Sequence, residues 1–98
     1  MPKPSEVLAP FVKLRGVLYD DGDYAIVVGE EKDASLCLGE RWSGDDTVGF
    51  PQSRGYPCWN RIPYRLSRSR LLSLLNDPRL DQLVDRRAVL AHFDAFAA

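Results

Sequence analysis

Turn-forming clusters cut the first two thirds of this chain into short segments, and that leaves few folds open to it. Asp20-Asp21-Gly22-Asp23 separates residues 11–19 from 24–29, and Glu30-Glu31-Lys32-Asp33 separates those from 35–42. Ser43-Gly44-Asp45-Asp46 precedes 47–50, and Pro51-Gln52-Ser53-Arg54-Gly55 precedes 56–62. Connections this short suit antiparallel neighbours, because a parallel pair needs a crossover of a dozen residues or more.

Alternation of apolar and polar residues supports half-buried strands. Val12, Leu14 and Leu18 are expected on one face of the first strand, and Leu36, Leu38 and Trp42 on one face of the third. Val48 and Phe50 pair in the same way in the fourth. Tyr24-Ala25-Ile26-Val27-Val28 is apolar throughout and reads as central. Pro57 removes a ladder donor, so the last strand is an edge or is interrupted there.

After Pro63 the period changes. Leu66, Leu71, Leu72, Leu74 and Leu75 crowd a short helix, with Ser67 in the capping position. Asp77-Pro78 reads as the N-cap and first residue of a second helix running to about Ala97. Its stripe is Leu80, Leu83, Val84, Leu90 and Ala91, and Arg87 and Asp94 fall beside it. An ionic pair so close to the stripe suggests a side where a second copy could associate as a homodimer. The expected fold class is α+β: an antiparallel β-meander of about five strands, followed by two C-terminal helices packed on one face. A small, partly closed barrel is the alternative. The 98 residues make one domain: an extended arm over 1–10, the meander over 11–62 and the helices over 66–97.

Charge is sorted along the chain. Residues 1–46 carry ten acids and five bases, residues 47–76 five arginines and no acid, and residues 77–98 four acids and three arginines. A net charge of −1 therefore hides a strong internal asymmetry. The acid-free stretch also holds Phe50, Tyr56, Trp59 and Tyr64. Guanidinium groups pair bidentately with anions and stack on rings, so arginine beside aromatics is the composition of a recognition surface. Arg54, Tyr56, Trp59, Arg61, Tyr64, Arg65 and Arg68 are the candidate binding residues. Phe50 and Trp59 equally suit a core, and the arginines equally suit pairing with Glu30, Glu31, Asp45 and Asp46. Arg68, read as opening the first helix, sits where a positive charge opposes the macrodipole.

Other chemistries find less support. Cys37 and Cys58 have no CxxC spacing and read as two small, largely buried residues. With one histidine and scattered carboxylates they lack the paired spacing of a zinc site, so no metal or cofactor is expected. The Asp20–Asp23 cluster lacks the later ligands of a calcium loop and reads as a hairpin turn with Gly22 at positive φ. Cys58, His92 and Asp94 have the residue types of a catalytic set, but His92 and Asp94 diverge on a helix. No P-loop, nucleophile elbow or dinucleotide fingerprint is present. Arg41-Trp42 and Gly49-Phe50-Pro51 look motif-like, with no activity attached. The amino terminus lacks the apolar core of a signal peptide and no apolar run is long enough to span a bilayer, so the expected compartment is cytoplasmic. The expected function is that of a small non-enzymatic interaction protein, such as an adaptor, an inhibitor or an immunity-like partner. It would bind another protein through the arginine–aromatic surface. Single-stranded nucleic acid or a phosphate ligand is the alternative partner, against a sequence pI near 5.7.

Overall fold

The computed structural model describes residues 2–44 and 47–96. Strands β1 (Lys13–Asp20), β2 (Tyr24–Glu30) and β3 (Leu36–Trp42) form an antiparallel meander. Short strands β4 (Gln52–Ser53) and β5 (Tyr56–Pro57) pair only with each other, and β6 (Asn60–Arg61) returns to β3. The main sheet has the order β1-β2-β3-β6 and does not close into a barrel. Helix α1 (Tyr64–Asn76) and the shorter α2 (Arg86–His92) follow. The fold is α+β, with β2 central as its apolar run requires.

β2 shows how the molecule is layered. Ile26 and Val28 face a core with Leu18, Leu38, Ile62, Leu71, Leu74, Val89 and Phe96, so the helices cover this side. Ala25 and Val27 face the other way, against Val7, Phe11 and Trp59. Both faces are thus buried, the second by the N-terminal arm. The free edge of β1 is partly covered too: Asp20 N donates to Leu83 O at 3.2 Å and Asp85 N to Leu18 O at 2.9 Å.

The arm is seated by glycine. A Cβ on Gly29 would fall inside the ring of Phe11, and one on Gly39 would lie 2.8 Å from Phe11 Cε2. Two bare backbone positions therefore form a pit for one ring. Trp59 completes the anchor: its Nε1 donates to Val7 O at 2.6 Å and its backbone N to Ala9 O at 2.8 Å.

Several local expectations are corrected. Leu14 packs on the arm side and Leu18 on the helix side, because register shifts between Leu14 and Gly16 and between Val17 and Tyr19 break the alternation. Val12 is exposed. Residues 47–50 form no strand; Phe50 makes only an isolated bridge to Trp42. Helix α1 starts at Tyr64 after Pro63, so Ser67 is no cap. It is buried inside the helix and its Oγ donates to Pro63 O at 3.2 Å. Pro78 opens a single 3₁₀ turn, Pro78–Leu80, and helix begins again at Asp85, whose side chain accepts from Ala88 N. The restart resets the helical phase: Val89 is buried, while Leu90, Arg87 and Asp94 are exposed. Among the described residues no helix is long and apolar enough to cross a membrane.

Candidate functional site

The expected binding residues separate into three groups. Trp59 is only 3% exposed and leaves the surface altogether, because its indole is consumed in anchoring the arm. Arg61 and Arg68 stay at the surface but are engaged within the molecule. The Arg61 guanidinium lies 5.9 Å from the Phe11 ring centroid and donates to both Glu31 carboxylate oxygens, at 2.7 and 3.0 Å. It closes the glycine pit from outside. Arg68 stacks over Phe93 at 4.5 Å, well inside α1 rather than at its start. Tyr64 packs its ring 5.8 Å from Phe96 and donates its hydroxyl to Ala95 O. The fifth arginine of the acid-free stretch, Arg70, reaches Tyr24 Oη at 3.2 Å and Glu40 at 3.5 Å. Pairing with Asp45 and Asp46 lies outside the described residues.

Arg54, Tyr56 and Arg65 form the third group. All are exposed, and among the described residues neither Arg54 nor Arg65 has an ion pair or a ring stacked on it. Arg54 and Gly55 are the two loop residues of the β4–β5 hairpin, with φ of +52° and +83°. Positive φ at both central positions suits the twist of a two-residue hairpin. Glycine adopts it freely; a long side chain at Arg54 does so at an energetic cost. Tyr56 follows immediately and is 75% exposed. Phe50, which the sequence left open between core and surface, is 66% exposed.

What holds this segment is a residue that sequence reasoning noticed without giving it a role. Arg41 is 2% exposed. Its Nη1 donates to Cys58 O at 3.3 Å, and its Nη2 donates to Trp42 O at 3.4 Å and to Val48 O. Nε has no partner. Among the described residues no carboxylate pairs with it, and burial lowers its pKa from the ordinary guanidinium value. One fork thus ties β3 to both ends of the connection that carries Phe50, Arg54 and Tyr56. Gly49 makes room for it, since a Cβ there would lie 2.6 Å from Arg41 Nη2. No sequence signal gave it this role: Arg41 shares its β3 face with Cys37 and Gly39, opposite the Leu36, Leu38 and Trp42 face on which the alternation placed the apolar side chains.

At the same end of the sheet runs a row of rings. Tyr19 and Tyr24 have centroids 6.2 Å apart, and Tyr24 and Trp42 4.8 Å. Trp42 pairs with Phe50 through two backbone hydrogen bonds of 2.7 and 2.8 Å. Tyr19 Oη donates to Asp21 Oδ2 at 2.8 Å, and Tyr24 Oη donates to Glu40. Burial, followed by the Glu40 hydrogen bond, pushes the Tyr24 phenol up to about 12.

The remaining candidates come apart. Cys37 and Cys58 are both free, and burial raises the Cys37 thiol. His92 lies beside Gly16 of β1, and Asp94 is exposed on the following turn. The acidic cluster is the hairpin turn expected: Gly22 has φ +92°, Asp20 accepts from Gly22 N, and Asp21 accepts from Asp23 N and Tyr24 N. The Gly44-Asp45-Asp46 turn lies partly outside the described residues. Comparison with known proteins finds no matching family model, curated protein or solved structure.

Proposed function

We propose that the chain is a small non-enzymatic interaction protein that recognises another macromolecule, most simply a protein, through an arginine–aromatic surface. That surface is narrower than the sequence suggested and consists of Arg54 and Tyr56 with Phe50; Arg65 is exposed on a separate element, α1. The observation that carries this reading is the backbone of Arg54. A guanidinium with no ion pair among the described residues is displayed at a hairpin tip in a conformation that asparagine or glycine would adopt at lower cost. Retention of a costly side chain at an exposed tip fits a use outside the fold. The Arg41 clamp supports it, because a loop fixed in advance loses less entropy on binding.

Arg54→Asn separates stability from use. It is expected to stabilise the protein by about 0.5–1 kcal/mol in urea unfolding. Affinity capture should nevertheless fall, and fall further with Arg54→Glu/Arg65→Glu. Capture equal to wild type by both variants rejects the reading. The nucleic-acid alternative draws on the same arginines, with Tyr56 and Tyr64 as stacking rings now that Trp59 is buried. Single-stranded oligonucleotides across a salt series decide it: affinity that falls steeply with salt supports it, and no binding at low salt removes it.

A further inference from the structure

We propose that the Tyr19–Tyr24–Trp42 row is a second docking surface, and that its occupant is an arginine- or lysine-bearing segment of another protein. The row crosses three strands. It passes from a buried ring at Tyr19, through a half-buried Tyr24, to a Trp42 that is 56% exposed. Between it and helix α1 opens a cleft of about 230 Å³, lined by Tyr19, Tyr24, Ile26, Arg70, Leu74 and Leu80. This is below the usual size of a site for a free organic ligand; the charged residue in its lining is Arg70, already turned to Tyr24 Oη and Glu40, so the cleft suits the apolar stem of one long side chain and not its charge.

Charge selects which side chain. Asp21 holds its carboxylate against the Tyr19 hydroxyl, and Glu40 holds its own against Tyr24. Burial pushes the Asp21 carboxyl up, but the N–H groups of Tyr24 and Asp23 and the Tyr19 hydroxyl outweigh it and leave it below the ordinary value. Asp20 and Asp23 lie on the same turn, and Ser43 N binds Asp23 O at 2.7 Å, which brings that turn to the Trp42 end of β3. Arg70 already pairs with Glu40, whereas Asp20, Asp21 and Asp23 make no ion pair among the described residues; Lys3 is the cation nearby, lining one shallow pocket with Asp20. Aromatic faces attract a cation and uncompensated carboxylates add to that attraction, while an anionic or acidic partner would be repelled. An arginine or lysine combines the apolar stem that lies along such rings with the charge that these acids select.

The test uses hexa-arginine and hexa-citrulline, which match in shape and differ in charge. Trp42 reports directly, since the other tryptophan, Trp59, is buried. Hexa-arginine is expected to shift the Trp42 indole and the Gly22–Tyr24 amides in NMR, and hexa-citrulline to leave them unmoved. Trp42→Ala and Asp21→Asn should each weaken hexa-arginine about three- to tenfold. Asp33→Asn, at the β2–β3 turn, and Arg54→Asn should leave it unchanged. The proposal is overturned by equal binding of hexa-citrulline, by a loss with Asp33→Asn equal to that with Asp21→Asn, or by shifts that bypass Trp42. The mapping on wild type decides the matter even if Trp42→Ala misfolds. Self-association that Trp42→Ala abolishes would make the occupant a second copy, and would overturn the assignment to another protein. Because Arg54→Asn affects only the hairpin surface, failure of that reading and failure of this one are distinguishable.

Discussion

The two faces of the sheet are buried by different means. On the helix side many branched side chains share the work: Leu18, Ile26, Val28 and Leu38 from the strands meet Leu71, Leu74, Val89 and Phe96. On the arm side β2 and β3 offer two glycines with Ala25 and Val27, Leu14 and Val17 of β1 are only partly buried beside them, and the cover is chiefly Phe11 and Trp59. Redundant packing tolerates the loss of one member better than a single ring in a fitted pit does, because a pit without its ring has nothing to collapse around. The arm side also recruits an arginine, Arg61, that sequence alone assigned to a partner.

The sharpest trial of this contrast is Phe11→Ala, expected to cost about 3–5 kcal/mol, beside Leu71→Ala at about 2–5 kcal/mol. Urea unfolding should show one transition in each; a separate early transition for Phe11→Ala would mean that the arm is an accessory to the sheet. Gly29→Ala comes next at about 1–3 kcal/mol, since the added methyl meets the Phe11 ring. Gly29→Ala in a Phe11→Ala background should recover part of that loss, and simple additivity would break the pit argument. On the helix side, Tyr24 sharpens the comparison through pH. Its folded pKa of about 12 lies above the ordinary phenol value of 10.0, so its stabilisation is complete below about pH 10 and is lost as pH rises towards 12. Tyr24→Phe should flatten that alkaline fall in a stability–pH profile and remove the latest phenolate from the ultraviolet titration. Arg61→Ala is the mildest, at below about 1 kcal/mol by denaturation, because the Arg61 side chain is 51% exposed and its ion pair is screened by solvent.

Much of the architecture was legible because backbone chemistry marks it locally. The Gly22 turn, the apolar run of β2 and the break at Pro57 each follow from one residue type and its conformational limits. Alternation failed where the backbone itself departed from regularity. The bulges in β1 moved Leu14 and Leu18 to opposite faces, and no composition cue announced them. Phe50 and Trp59 had equal claims to the core; what decided between them was the carbonyl of Val7, fifty-two residues away in sequence from the Trp59 indole. The second helix was misread because Asp77 and Asp85 are both good caps, and only the bridge of Val84 to Tyr19 selects the later one for the helix. At the candidate surface, residue type was visible and partnership was not. Arg61, Arg68 and Arg70 found rings or carboxylates that are distant in sequence, which leaves Arg54 and Arg65 without an ion pair among the described residues.

Arg41 has a consequence for how the segment beyond β3 can change over time. It grips carbonyl oxygens, which every amino acid supplies, so the anchorage does not depend on which side chains lie between its contacts. Apart from the space that Gly49 must leave, residues 50–57 can be exchanged without redesigning the platform beneath them. The molecule carries this stretch on an attachment made to backbone oxygens, as an interchangeable head on a handle.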